Sequence, residues 1–76
     1  MKLKPQVDIQ EFLQAVQNCR GGVWFHTENG DQLDLRSTLS QLLFASIVAK
    51  SPLGPVGEIR VKKREDLSLL GQYLTN

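Results

Sequence analysis

The stretch Val23–Ile47, VWFHTENGDQLDLRSTLSQLLFASI, predicts a strand, a tight turn, a second strand and then, without a linker, a helix. Asn29-Gly30 separates two runs of strand-forming residues, and this pair tolerates the positive φ angles of a type I′ hairpin turn. The second strand alternates apolar with polar residues, as expected when one face of a strand is buried. With a two-residue loop, the inward face of the hairpin consists of Trp24, His26, Leu33 and Leu35.

The pairing register of this hairpin depends on the length of its loop. The two-residue loop places His26 opposite Leu33, whereas a three-residue loop shifts the pairing by one residue and brings Phe25 opposite a leucine. The first strand is apolar on both faces, so its own pattern does not distinguish these registers. We predict the two-residue register from the turn chemistry of Asn29-Gly30, with the three-residue loop as the alternative.

The length and composition of the chain indicate one ordinary globular domain over residues 1–76. Hydrophobic residues make up 41% and charged residues 22%, and the net charge of +1 gives no strong field for nucleic acid or a membrane surface. The single cysteine, Cys19, excludes an internal disulfide and a cysteine-based metal cluster. Together with the absence of a signal peptide or a membrane-spanning apolar run, it predicts a cytoplasmic protein without cofactor or metal.

The first helix is predicted over residues 8–20. Asp8 is a suitable N-cap, and Glu11 stands three residues later, where a capping box places it. Gly21 follows at the position where glycine commonly ends a helix. The apolar residues at helical spacing, which we expect to form the buried stripe, are Ile9, Phe12, Leu13, Val16 and Cys19.

The second helix is predicted to begin after Ser37, its N-cap, and to end near Lys50, because Pro52 disfavours helical conformation in the preceding residue. Its buried face is expected to comprise Leu39, Leu42, Leu43, Ser46 and Ile47, widened by Phe44 and Val48. This helix is more apolar than burial on one side requires. The sequence therefore predicts that part of its surface is available to a partner.

The remaining segments complete the order β-α-β-β-α-β-α. Met1–Lys4 predicts a very short strand, Ser51–Gly57 a loop, and Glu58–Lys62 a half-buried strand. Antiparallel strands covered by helices on one face make an α+β open-faced sandwich. The short first strand leaves one sheet edge poorly protected, which would allow a homodimer.

The last helix follows the basic residues that end the fourth strand. Glu65 and Asp66 lie in its first turn, where acidic side chains interact favourably with the helix dipole. Its predicted buried stripe is Leu67, Leu70 and Leu74.

From Leu13 to Leu43 the chain resembles the HPr family, the phosphocarrier proteins of the bacterial sugar phosphotransferase system. The first helix, the hairpin with its Asn-Gly turn and the segment LDLRS at residues 33–37 match that family in spacing without a gap. The resemblance implies three helices on one side of a four-stranded antiparallel sheet. It also implies that Ser37 corresponds to the serine that a dedicated kinase phosphorylates in some bacteria.

The family's catalytic segment is not matched. Its phosphoryl-accepting histidine lies in a Gly-x-His-Ala-Arg-Pro segment, and counting back without a gap places Gln6 at the histidine, Asp8 at the arginine and Ile9 at the proline. A glutamine amide cannot form a phosphoramidate, and an aspartate repels the phosphate that the arginine would hold. The resemblance therefore implies an HPr-type fold without phosphoryl transfer at that position.

Two other residues are candidate phosphorylation sites. Ser37, at a helix start, would place a phosphate among free backbone amides, but a capping serine is common there whatever the function. His26 is the only histidine, and it stands in mid-strand without a carboxylate, serine or cysteine at an activating spacing. The structural alternatives are a plain N-cap for Ser37 and a partly buried side chain beside Trp24 for His26.

Our leading hypothesis is a non-catalytic protein-binding or regulatory module that acts through the start of the second helix. Thr38, Leu39 and Leu42 are its expected contact residues, and a component of the phosphotransferase system is one candidate partner. The second hypothesis is a phosphoryl carrier or switch that is modified at Ser37 or His26.

The third hypothesis is a nucleic-acid-binding module. Trp24 and Phe25 would stack bases on an open sheet, next to the basic cluster at residues 62–64. The net charge near zero and the lack of an RNP-type aromatic pattern argue against it. A solvated strand end is the simpler interpretation of the cluster.

Overall fold

The computed structural model of the protein describes residues 1–51 and 57–75. Its helices and strands, in chain order, are β1 (Lys2–Leu3), α1 (Ile9–Gln17), β2 (Val23–Thr27), β3 (Gln32–Asp34), α2 (Thr38–Ala49), β4 (Gly57–Val61), α3 (Leu67–Leu70) and β5 (Leu74–Thr75). Single 3₁₀ turns, Arg64–Asp66 and Gly71–Tyr73, flank α3. The predicted α+β order is confirmed, with β5 added after the last helix. Most of the predicted loop Ser51–Gly57 lies outside the described residues.

The antiparallel strands form two small sheets. β2 lies between β3 and β4 in one sheet, and β1 pairs with β5 in the other. A backbone hydrogen bond of 2.7 Å from the Ile59 amide to the Met1 carbonyl sets β1 beside β4, so the two sheets meet there. Among the described strands, β5 therefore covers the edge that β1 was expected to expose, and β3 forms the outer edge of the larger sheet.

The hairpin of β2 and β3 has a three-residue loop, so the predicted two-residue type I′ turn is wrong. Phe25 pairs with Leu33, and Trp24 pairs with Asp34. The loop is residues 28–30. This is the alternative register that the sequence left open.

Thr27 closes the longer loop. Its carbonyl accepts a hydrogen bond of 3.1 Å from the Gly30 amide, and its hydroxyl accepts one of 3.0 Å from the Asp31 amide. Gly30 has a φ of +90°, as expected for the bulge residue that follows a type I turn. The Asn29-Gly30 pair therefore needs positive φ only at the glycine. The side chain of Thr27 supplies a bond that the dipeptide alone does not indicate.

The register decides which face of the hairpin is buried. Val23 and Phe25 are almost completely buried, whereas Trp24 and His26 lie on the opposite face and are half-buried. The prediction that Trp24 and His26 point into the core is therefore wrong. The prediction for Leu33 and Leu35 is confirmed, because both pack in the core or against it. The core consists of Leu3, Phe12, Val16, Cys19, Val23, Phe25, Leu35, Phe44, Ile59, Leu70 and Leu74.

Three phenylalanines join the helices to the sheet. The ring of Phe44 in α2 lies 5.0 Å from that of Phe25 in β2 and 6.1 Å from that of Phe12 in α1. Phe12 also makes an edge contact with Tyr73 at 5.8 Å. Aromatic pairs at such distances and tilted geometries add stability beyond their buried area. The helices thus pack on the face of the larger sheet that carries Phe25. The opposite face, called the open face below, carries Trp24, His26, Gln32, Asp34, Glu58 and Arg60.

Helix α1 begins after its predicted N-cap but ends three residues earlier than predicted. Asp8 is the N-cap as predicted, because its carboxylate accepts a hydrogen bond of 3.1 Å from the Glu11 amide. The helix ends at Gln17, before the predicted residue 20. The amides of Asn18 and Cys19 bond three residues back, to Ala15 and Val16, which tightens the last turn. The Cys19 thiol is buried in the core as expected, and this burial raises its pKa.

Asp66 ties the start of α3 to the segment between α1 and β2. Its carboxylate accepts hydrogen bonds from the backbone amides of Arg20, at 3.0 Å, and Gly21, at 2.8 Å. These two bonds, Arg20 first, hold the pKa of the Asp66 carboxyl below its usual range, and the nearby Lys63 ammonium acts in the same direction. The residue is buried, so its main role is this link and not the dipole interaction that the sequence predicted.

Replacing Asp66 by asparagine should destabilise the protein in a pH-dependent way. A lowered pKa in the folded state means that the ionised carboxylate stabilises the fold above the unfolded-state value of about 3.9. That contribution is lost as the pH falls through the folded-state pKa. In denaturant unfolding, the free energy of unfolding of Asp66→Asn should therefore be lower than that of the wild type at pH 7. This deficit should narrow below pH ~4. Glu28→Gln, at the exposed hairpin loop, is the control; a constant deficit at every pH would contradict this account.

Substitution by alanine should have opposite effects on the stability of the fold at two glycines. Gly71 has helical φ and open space around its Cα, so Gly71→Ala should stabilise the fold by about 0.4–1 kcal/mol. A Cβ on Gly57 would lie within 2.4 Å of the His26 carbonyl and 2.7 Å of the Phe25 ring. Gly57→Ala should therefore cost more than about 1 kcal/mol, because strands β2 and β4 must separate locally. Paired urea titrations measure both, and equal effects would refute the prediction.

Candidate functional site

Helix α2 exposes three leucines, called the leucine patch below. Leu39, Leu42 and Leu43 are 68%, 65% and 49% exposed, whereas Phe44 in the same helix is fully buried. Their spacing of three and four residues puts them side by side on one face. The helix contains no charged residue from Thr38 to Ala49. The prediction that these leucines form the buried face is wrong, and Ser46 is exposed as well.

Contacts on the far side of α2 determine its rotation. Phe44 fills the space between Phe12 and Phe25, and the Gln41 side-chain amide donates a hydrogen bond of 2.9 Å to the Leu35 carbonyl. Ile47 and Val48 pack against the core beside Phe44. With this side of the helix buried, the leucine patch must face outward. The helix is apolar almost all round, so its periodicity alone could not indicate which side would be buried.

A groove of about 350 Å³ runs between the hairpin and α2. Leu33 of β3 and Leu43 and Ile47 of α2 supply its apolar lining. Asp31 and Gln32 supply polar groups at its hairpin side. Leu43 belongs to both the groove and the leucine patch, so the two surfaces are continuous. No local sequence pattern predicts this groove, because it depends on the hairpin register and on the rotation of α2.

Ser37 is the N-cap of α2, as predicted. Its carbonyl accepts the first helical hydrogen bond, from the Gln41 amide at 2.9 Å. Its hydroxyl makes no capping hydrogen bond, and the residue is exposed. The hydroxyl is therefore accessible at the N-terminus of a twelve-residue helix. Thr38, the next predicted contact residue, is also exposed.

His26 lies on the open face of the larger sheet. Its neighbours across the strands are Gln32 on β3 and Glu58 on β4. Trp24 lies beside it, between Asp34 and Arg60, and its indole covers Gly22 so closely that a Cβ there would be 2.3 Å from the ring. The histidine is therefore part of a mixed polar surface, partly buried beside Trp24, on the face opposite the helices.

The positions that the HPr resemblance aligns with the catalytic histidine and arginine have other roles here. Gln6 is exposed in the turn before α1, with a φ of +62° that non-glycine residues rarely adopt. The Asp8 carboxylate is used as the N-cap of α1. Within residues 1–51 and 57–75, no group of three or more His, Cys, Asp or Glu side chains is placed to hold a metal ion.

The two aromatic residues of the third hypothesis lie on opposite faces of the sheet. Phe25 is buried in the core, so it cannot stack a base. Lys62, Lys63 and Arg64 are exposed, and the Lys63 chain packs over Gly21, where a Cβ would lie 2.8 Å from Lys63 Cγ. Trp24 remains on the open face, but two carboxylates of that face, Asp34 and Glu58, would repel a phosphate backbone.

Comparisons of the chain with protein-family models, with curated proteins and with solved structures find no match. The HPr resemblance therefore remains a prediction that is based on the spacing of residues 13–43. In the described part of the chain, no helix has the length and apolar character needed to cross a membrane.

The two helix caps should differ in their contribution to stability. Asp8→Ala removes a carboxylate that bonds the Glu11 amide, so it should cost about 1 kcal/mol. Ser37→Ala removes a hydroxyl without a capping bond, so it should cost less than about 0.5 kcal/mol. Thermal and urea unfolding of both variants measure this difference. A larger cost for Ser37→Ala would mean that its hydroxyl caps α2 in solution.

Proposed function

We propose that this protein is a non-catalytic protein-binding or regulatory module whose contact surface is the leucine patch together with Thr38. The observation that carries the proposal is the exposure of Leu39, Leu42 and Leu43 on a helix that contains no charged residue. Contiguous apolar surface of this kind commonly marks an interaction site. A partner in the bacterial sugar phosphotransferase system and a cytoplasmic location are the finer parts of the proposal.

Burial of the leucine patch would provide favourable free energy without desolvation of charge. Each leucine side chain contributes about 1.5–3 kcal/mol when it passes from full exposure to burial. The chemistry of the positions aligned with the HPr active site also favours contact over catalysis. Gln6 offers no phosphoryl-accepting nitrogen, and Asp8 offers a negative charge where a phosphate would need a positive one.

Charged substitutions in the leucine patch should abolish partner binding and leave the fold intact. Leu39→Asp or Leu42→Asp would have to bury a carboxylate in an apolar interface, and unpaired burial of a charge is strongly unfavourable. A matched control is Leu69→Asp, because Leu69 is an exposed leucine of α3, 41% accessible.

The measurement is affinity capture from cell extract followed by titration of the captured protein against each purified variant, with circular dichroism to verify folding. Loss of the interaction in both patch variants, with retention in Leu69→Asp, is the expected result. Equal affinity of wild type and Leu42→Asp would exclude the leucine patch as the contact surface.

A second candidate function is a phosphorylation switch at Ser37. Its exposed hydroxyl, free of a capping bond, lies two residues before Leu39, so a phosphate would add negative charge directly beside the leucine patch. Intact mass after incubation with HPr serine kinase and ATP tests this role, with Ser37→Ala as the control. Incubation with the phosphoenolpyruvate-dependent enzyme tests His26, with His26→Ala as the control. The absence of a mass increase with both donors would exclude phosphorylation by these enzymes.

A further inference from the structure

The outer edge of β3 has backbone groups that point away from the sheet. The bonds from the Thr27 amide to the Asp31 carbonyl and from the Leu35 amide to the Val23 carbonyl join β3 to β2. Bonding residues alternate along an antiparallel pair, so the backbone groups of Gln32 and Asp34 face outward. The Asp34 carbonyl already accepts a hydrogen bond of 3.0 Å from the Ser37 amide, so the groups offered to a partner are the Asp34 amide and the amide and carbonyl of Gln32. Within residues 1–51 and 57–75, β3 pairs with β2 alone. This edge is a template on which another strand can pair.

The groove beside α2 continues from the same edge. A strand added next to β3 would keep the alternation of the sheet, with every second side chain on the helix face. Those side chains would lie against Leu33, Leu43 and Ile47. The volume of about 350 Å³ is at the lower end for ligand pockets, so the groove suits individual side chains and not a folded element.

The carboxylates of this edge are Asp31 and Asp34. The nearest cation along the chain is Arg36, whose guanidinium donates a hydrogen bond of 3.3 Å to the Gly21 carbonyl. Asp31 lies at the groove, Asp34 lies on the open face, and both are exposed. Pairing of β3 with β3 of a second copy would bring these carboxylates near one another, and like charges on facing strands are destabilising. A strand with basic residues on its open-face side would instead place them beside Asp34. The charges therefore favour a basic partner over a second copy of the chain.

We propose that the β3 edge and the adjoining groove bind an extended segment of a partner protein, in which apolar residues alternate with basic ones. The segment adds a strand to the larger sheet. Its backbone bonds the amide and carbonyl of Gln32 and the amide of Asp34, its apolar side chains enter the groove, and its basic side chains lie beside Asp34. This mode of recognition takes affinity from main-chain bonds and specificity from alternate side chains. The inference rests on the proposed protein-binding function and names the kind of partner that it fits.

The test uses the full chain and a synthetic peptide, acetyl-KVKLKVK-amide, with the scrambled peptide acetyl-KKVLVKK-amide as control. Titration into ¹⁵N-labelled protein should shift the amide resonances of Gln32, Asp34 and Leu43 with the alternating peptide, and with the scrambled one far less. Binding should weaken as salt is raised, because the charge pairs at this edge are exposed. Shifts that are absent or confined to other surfaces would overturn the proposal.

Two variants of one residue separate the backbone bond from the side chain. Gln32→Ala keeps the outward amide, whereas Gln32→Pro removes it without touching a bond to β2. Loss of one backbone hydrogen bond should weaken peptide binding about fivefold to tenfold in Gln32→Pro and far less in Gln32→Ala. Equal affinities of the two variants would contradict strand addition.

A peptide-side experiment covers the case in which Gln32→Pro does not fold. N-methylation of the three apolar residues and N-methylation of the lysines block opposite edges of the peptide backbone. One methylated peptide should lose binding to wild-type protein and the other should retain it. Retention of full affinity by both would overturn the proposal.

The leucine variants distinguish this inference from the proposed function. Leu39 and Leu42 do not line the groove, so Leu39→Asp and Leu42→Asp should bind the alternating peptide like wild type. If these variants lose the protein partner and the peptide does not bind at β3, the proposal of strand addition at β3 is overturned and the proposed function stands. If the peptide binds at β3 and both leucine variants retain the partner, strand addition at β3 is supported and the leucine patch is excluded as the contact surface.

Discussion

The contact of Phe44 with Phe25 and Phe12 determines the arrangement of the molecule. These rings come from α2, β2 and α1, and all three are completely or almost completely buried. With Phe44 held in the core, α2 has one possible rotation about its axis. The side that carries the leucine patch must then face solvent. The candidate interaction surface is therefore a consequence of how one aromatic residue packs on the other side of the helix.

The register of the hairpin is the second constraint, because it selects which aromatic residue of β2 enters the core. A shift by one residue exchanges the two faces of a strand. The hydroxyl of Thr27 bonds the Asp31 amide and stabilises the three-residue loop. Phe25 thereby meets Phe44, and Trp24 and His26 move to the open face. The same register directs Gln32 and Asp34 to the outer edge.

Features that depend on neighbours along the chain could be predicted from the sequence, and features that depend on distant packing could not. The N-cap positions of Asp8 and Ser37 and the inward side of Ile59 follow from local patterns, and the structure confirms them. The buried side of α2 could not be predicted from a local pattern, because the helix is apolar in nearly every direction. The role of Asp66 was also missed. Its hydrogen-bond partners lie 45 and 46 residues away, and no local pattern connects them.

The leucine patch is not needed to cover the sheet. Phe44, with Ile47 and Val48 beside it, already closes the core above Phe25, and the exposed leucines make no comparable contribution to the core. Polar residues at these positions would leave the buried core unchanged and would reduce the risk of aggregation. The fold alone therefore does not account for three adjacent exposed leucines. The proposed interaction surface would account for them, and this surface is continuous with the edge of β3 through Leu43 and the groove.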